Sequence, residues 1–297
     1  MPRRCLAVVV NPRGGKCRGV PVLHRVSPLF AKAGIDLNVH MTDRPGHARD
    51  IARNLDQNAV QGICVVGGDG TFHEVVDGLM HRNEPISIPV GIIPAGTGNS
   101  LVRHLNCKDP AQAAMQIVAG RTMPLDVVRV AMGDQTAYCA NIVGWGAVSD
   151  INIRAEKLRM LGTSRYALAA LIEILRAKRR RATILLDGRM LEDSFVFFMA
   201  CNGKFTGADM KLTPGAEIGD GMIDVALIRD ASRWQMLKLF TKVFDGSHVS
   251  LDFIEFYQVR SFEIQTETPD RMNLDGEMRG TSPVAGEVMP AALSIFY

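Results

Sequence analysis

Three short glycine-rich strings in the 297-residue chain join residue types that can close around an anion. Asn11-Pro12-Arg13-Gly14-Gly15-Lys16 follows the apolar run Leu6 to Val10 and precedes a segment of helical spacing, so its glycines can turn backbone N–H groups toward a phosphate. Gly67-Gly68-Asp69-Gly70-Thr71 follows Ile63 to Val66 and opens a second helical segment, setting one carboxylate among three glycines. Pro94-Ala95-Gly96-Thr97-Gly98-Asn99-Ser100 repeats the arrangement after Val90 to Ile93, without the Lys-Ser/Thr ending of a Walker loop. Singly, the first is compatible with a plain strand-to-helix turn and the second with an Asx-turn. Together, at the carboxyl edge of one parallel sheet, they form a polyanion cradle whose natural guest is a nucleoside triphosphate. Far downstream, Asn273-Leu274-Asp275-Gly276-Glu277 sets two carboxylates about one glycine; by itself this Asp-Gly reads as a type I′ hairpin turn.

The elements that must carry these strings alternate. Apolar runs at Leu6 to Val10, Ile35 to Met41, Gly62 to Val66 and Val90 to Ile93 are interleaved with helical segments after Val20, Pro45, Phe72 and Asn99, and another from Pro110 to Ala119. That alternation predicts a doubly wound α/β domain. From Leu125 the pattern changes to short β-rich runs, Val127 to Val130, Ala182 to Leu186, Phe195 to Ala200, Met222 to Ile228, Val259 to Ile264 and Ala292 to Tyr297, which predict a β-sandwich. Two helices interrupt it, near Arg165 to Ala177 and Ser232 to Val243. The boundary falls between Arg121 and Pro124, giving a nucleotide-binding α/β domain over 1–122 and a β-sandwich domain over 123–297.

Composition excludes several classes. The 34 basic and 31 acidic residues leave a net charge of +3, which does not suggest a nucleic-acid partner. Six cysteines placed singly, with no CxxC pair, argue against a zinc site or a disulfide framework and suit a reducing, cytoplasmic compartment. The run Cys5 to Val10 is too short for the apolar core of a signal peptide. No segment reaches the roughly 18 apolar residues of a spanning helix, so membrane association is expected to be peripheral.

Taken in order, the strings at 11–16, 67–71, 94–100 and 275–277 resemble the diacylglycerol kinase catalytic-domain family, which includes sphingosine kinases, ceramide kinases and bacterial lipid kinases. The resemblance spans nearly the whole chain and implies the same two domains, with nucleotide between them. Sphingosine kinases look most similar, through Asn11 to Lys16, through Thr42 with Gly46-His47-Ala48, and through His73 to Leu79. The block Gly146 to Asp150, with Glu156-Lys157, Arg159, Leu161-Gly162 and Arg165, resembles the segment carrying lipid-headgroup and phosphate contacts in sphingosine and ceramide kinases. It departs at Asn152, where sphingosine kinases usually carry a second acidic residue after the one matching Asp150. An amide offers no charge to a protonated amine, and this leaves the acceptor lipid open.

The resemblance implies an ATP-dependent, Mg²⁺-assisted transfer of the γ-phosphoryl group to a hydroxyl of a sphingoid-type or glycerol-based lipid. Asn11, Gly15, Lys16, Thr42, Gly68, Gly70, Thr71, Gly96, Thr97, Gly98 and Asn99 would hold nucleotide, with Arg159 and Arg165 on the phosphate tail. Asp69 would accept or orient the hydroxyl proton, Glu277 with Asp275 would hold Mg²⁺, and Asp150 and Asn152 would meet the headgroup. Tyr166 to Leu175 followed by Lys178-Arg179-Arg180-Arg181 is either a packed helix with a cationic end or a dock for anionic lipid. Two rival readings are a dinucleotide kinase acting on NAD, which shares the GGDGT string, and a nucleotide-binding module without catalysis.

Overall fold

The computed structural model describes residues 4–96, 99–158, 164–176, 178–207 and 210–297. Two compact units are present, one made of residues up to Asp126 together with Pro290–Tyr297, the other of Val127–Met289.

The first unit runs β1 (Arg4–Val10), α1 (Gly14–Cys17), α2 (Gly19–Lys32), β2 (Ile35–Met41), α3 (His47–Asn54), β3 (Ile63–Gly67), α4 (Asp69–Met80), β4 (Val90–Pro94), α5 (Ser100–His104) and α6 (Pro110–Ala119). Its strands pair in parallel in the order β2-β1-β3-β4. Strands buried on both faces need no polar alternation, and β3 and β4 are accordingly buried at every residue. Leu23, Val26 and Phe30, at the spacing of one helical stripe, bury α2. Gly120 closes α6 with φ +72°, the left-handed turn that glycine adopts without a Cβ penalty.

The second unit, which takes β5 from Val127 onward and β16 as far as Met289, follows as β5 (Thr122–Met132), β6 (Gln135–Cys139), β7 (Ile142–Gly146), α7 (Ala147–Lys157), α8 (Ser164–Arg176), β8 (Arg180–Leu186), β9 (Arg189–Phe195), β10 (Phe197–Cys201), β11 (Ile223–Ile228), α9 (Arg233–Lys242), β12 (Glu255–Val259), β13 (Ser261–Thr266), β14 (Arg271–Leu274), β15 (Glu277–Thr281) and β16 (Val284–Phe296). Within it, one antiparallel sheet is ordered β12-β11-β10-β7-β14-β15, and β16, β13, β8 and β9 pair antiparallel in a second. Period-two alternation along β10 builds both its faces. Phe198 and Ala200 enter the core between the sheets with Trp145, Ile184 and Phe262, while Phe197, Met199 and Cys201 join Ile174, Met236 and Leu239 in a core under α8 and α9. The architecture is thus an α/β domain with a parallel sheet followed by an antiparallel β-sandwich.

The structure departs from the sequence reading at four places. Phe195 to Ala200 belongs to two strands, divided at Val196, and Val259 to Ile264 is divided at Arg260. The stretch from Ala147, read above only for contacts, is the helix α7. The last residues return to the first unit, where Ile295 pairs in parallel with Val90.

Candidate functional site

The carboxyl ends of β1, β3 and β4 bring the three glycine strings together backbone against backbone. A Cβ on Gly15, which sits at φ +54°, would lie 1.9 Å from the Ala95 carbonyl oxygen. One on Gly96 would lie 2.4 Å from the Gly68 Cα. Side chains are therefore excluded at both contacts, and only glycine lets the loops meet. Polar bonds tie them further. Asn11 Nδ2 donates to Thr71 Oγ1 at 3.1 Å, and the amides of Ala95 and Gly96 both donate to the Gly67 carbonyl, at 2.8 and 3.0 Å.

At the centre of this cluster lies the start of α4, which no side chain caps. The first amides of a helix have no intrahelical acceptor and carry the positive end of its dipole, so this twelve-residue helix presents Asp69, Gly70 and Thr71 N–H groups suited to an anion. Asp69 is fixed by Ser100, whose amide donates to both carboxylate oxygens at 2.9 and 3.0 Å and whose hydroxyl donates at 3.0 Å. Arg103 feels the Asp69 charge, which opposes the downward pull of burial on its pKa. Asn99, in the left-handed region at φ +54°, donates to the Gly96 carbonyl and keeps a buried Oδ1 that has no hydrogen-bond partner among the described residues. Thr42 joins the end of β2 to that of β1 through its amide, 2.9 Å from the Val10 carbonyl. Glu74 accepts from the amides of Gly46 and Ala48, which explains why those two segments stand out together: α4 caps α3. Arg18 is the cradle residue that sequence reasoning missed, and Ser100, the last residue of the third string, was read without its role of holding Asp69. Lys16 lies in α1 with its side chain outside the described residues, as are Thr97, Gly98 and Arg159.

In the second unit Asp275 and Gly276, at φ +50° and +94°, form the two-residue turn joining β14 to β15. Both central residues at positive φ are what a type I′ hairpin requires. The Asp275 carboxylate accepts from the amides of Ala140, Asn141 and Ile142 at 2.9, 2.9 and 2.7 Å, which makes it an anchor of the turn. Glu277, the first residue of β15, has no such engagement: its half-buried carboxylate has no partner among the described residues.

Asp150 and Asn152 do not share a face. Two positions apart on α7 they point about 200° from one another, as the helical repeat dictates. Asn152 is buried and donates to the Gly276 carbonyl, while Asp150 accepts from Arg180 at 2.6 Å. Arg180 is itself 10% exposed and bonds Asp270 through Nε at 2.6 Å. Arg165 stacks on Tyr166 and faces Glu156 at 3.6 Å. The supposed basic tail of α8 leads into β8, which begins at Arg180, and its three arginines are engaged. Arg179 pairs with Asp230, and Arg181 lies 3.7 Å from Glu267.

The comparisons agree with this construction. Residues 5–130 match the diacylglycerol kinase catalytic domain, and residues 141–297 match the YegS C-terminal NAD kinase beta sandwich-like domain. The chain belongs to the diacylglycerol kinase catalytic-domain family. Members of this lipid kinase family similar to it include sphingosine kinase 1 of Arabidopsis thaliana, 28% identical over 92% of this chain and 68% of the relative, and a Bacillus subtilis diacylglycerol kinase, 27% identical over 93% and 90%. A Bacillus anthracis str. Sterne protein solved as a candidate diacylglycerol kinase superposes with a TM-score of 0.82 at 27% identity, over 99% of this chain and 97% of its own. Family membership implies kinase chemistry with ATP.

Proposed function

We propose that this protein transfers the γ-phosphoryl group of ATP to a hydroxyl of a sphingoid-type or glycerol-based lipid at a membrane surface. The observation that carries the reading is the cradle: three glycine turns closed on one another around the uncapped start of α4, with Asp69 held in place beside it. Those features fit a triphosphate, because the amides supply donors and the missing side chains let the loops that carry them close on one another.

Phosphoryl transfer of this kind has a loose transition state, so positioning and charge stabilisation dominate. Asn11, Gly15, Lys16, Thr42 and the amides at Gly68, Gly70 and Thr71 bind the nucleotide in this reading, with Gly96, Thr97, Gly98 and Asn99 from the third turn and Arg159 and Arg165 on the phosphates. Asp69 orients the acceptor hydroxyl and takes its proton late; three bonds from Ser100 hold the carboxylate in one orientation, and a weak base then suffices. Glu277 is the residue proposed to hold Mg²⁺, since Asp275 is engaged by three amides. The ion supplies neutralisation of phosphate charge when bound.

Asn152, engaged with the Gly276 carbonyl, and Asp150, paired with Arg180, leave an ammonium without a free carboxylate on α7. This favours acceptors such as diacylglycerol, monoacylglycerol or ceramide over sphingosine. Among the described residues no helix is long and apolar enough to cross a membrane. Membrane access is assigned to the exposed Leu168, Leu171 and Leu175, one stripe of α8, in place of the 178–181 segment, whose three arginines are ion-paired.

The test is transfer of labelled γ-phosphate from Mg-ATP to diacylglycerol, monoacylglycerol, ceramide, sphingosine and NAD in mixed micelles. A labelled neutral lipid supports the reading in full. Labelled NAD alone replaces it with the dinucleotide kinase, and ATP binding without any product leaves a non-catalytic module.

A further inference from the structure

We infer that Arg18 is a positioning residue that sets the shape of the nucleotide cradle by bridging two of its turns; the inference rests on the ATP reading above. Arg18 stands between α1 and α2 and is the residue on which α2 begins. Its Nε donates to the Gly15 carbonyl at 3.0 Å and its Nη2 to the Gly96 carbonyl at 2.7 Å. One planar guanidinium therefore bridges the first and third glycine turns, at the very point where a Cβ on Gly15 would strike Ala95. Asn99 adds a second bond to the same Gly96 carbonyl, at 3.1 Å.

The consequence follows from peptide geometry. In a turn the carbonyl and the neighbouring amides point in opposing directions, so the peptide orientation decides which pole faces the centre. With the Gly15 and Gly96 oxygens bonded to a cation, those two negative poles are committed and partly neutralised, which lowers their repulsion of a phosphate chain and fixes the orientation of both peptides. An ammonium at the same place would supply charge and could not bond both oxygens in one plane, because lysine is a point donor where arginine is a fork. Arg18 touches the loops in this arrangement and is not itself assigned to the phosphates.

That difference gives the test. ATP binding by wild-type, Arg18→Lys and Arg18→Gln proteins is measured by calorimetry, alongside KM for ATP, KM for lipid and kcat, with unfolding curves as controls. Both variants are expected to weaken ATP about tenfold, equivalent to ~1.4 kcal/mol, with KM for the lipid within about twofold of wild type and the nucleotide-free melting temperature nearly unchanged. Wild-type affinity in Arg18→Lys, with loss only in Arg18→Gln, would show that charge alone matters and overturn the fork. Wild-type affinity in both would remove Arg18 from the cradle, as would a loss confined to lipid KM. A wild-type protein that binds ATP and transfers nothing sinks the kinase reading while the clamp is still read from affinity, and one that does not bind ATP overturns both.

Discussion

Replacing Gly96 by alanine tests the cradle most directly, because the structure says what the added methyl meets. It would stand 2.4 Å from the Gly68 Cα and 3.0 Å from the Gly68 nitrogen, both backbone atoms that cannot rotate away. Gly96 does not need a left-handed φ, so the effect is steric and carries no Ramachandran penalty. Restoring ordinary contact requires the second and third turns to part by about 1 Å, and overpacking of this kind costs about 1–3 kcal/mol. The functional cost should be larger, since a 1 Å misplacement of groups that position reactants can lower turnover about a hundredfold. Urea unfolding and kcat/KM for ATP read the two effects separately. Gly215→Ala is the control: a Cβ there meets nothing within 4 Å, and its stability should stay within about 0.5 kcal/mol of wild type. If Gly96→Ala kept both its stability and its ATP KM within twofold of wild type, the two turns would not be packed as described and the cradle argument would fail.

Asp69→Asn should bind ATP within about threefold of wild type and show no measurable transfer; retained turnover would exclude Asp69 as the group that takes the proton. Asp275→Ala leaves three amides without their acceptor and should cost at least about 3 kcal/mol by urea unfolding, whereas Glu277→Ala should cost less than about 1 kcal/mol and lose turnover; the reverse pattern would exchange their roles. Asp224 offers a pH signature. Burial, reinforced by the charge of Asp220, pushes its pKa up to about 6. A raised carboxylate binds its proton more tightly folded than unfolded, so stability falls as pH rises from about 4 to about 6 and stays lower above it. Because the group is half-buried, screening reduces the loss to about 1 kcal/mol. Asp224→Asn should therefore be more stable than wild type by that amount at pH 7.5 and equal to it near pH 4, and equal stability at both values would refute the shift.

What could be read from the sequence divides by the range of the force that sets each feature. The glycine strings and the Asp275-Gly276 turn are legible because their constraint is local: a positive φ or the absence of a Cβ is written in the residue itself. The buried strands of the parallel sheet are legible because continuous apolar runs have few other uses. The same continuity hid one strand end, and a distant carboxylate set another. Phe195 to Ala200 has no polar break, and the interruption at Arg260 comes from 73 residues away, where the Asp187 carboxylate takes the Arg260 amide at 3.0 Å and the Ser261 amide at 2.8 Å. The functional supports are long-range in the same sense. Nothing near Arg18 in the chain announces the Gly96 carbonyl, and nothing near Asp69 announces Ser100. Arg180, which looks like one cation in a run of four, is turned inward by Asp150 and Asp270, carboxylates from a helix and from the approach to β14. Burying an arginine is tolerable only with such partners, since each unpaired buried charge costs several kcal/mol. The run was therefore three residues of surface charge and one of core, a distinction that composition cannot express and that decides which face of this unit can meet a lipid.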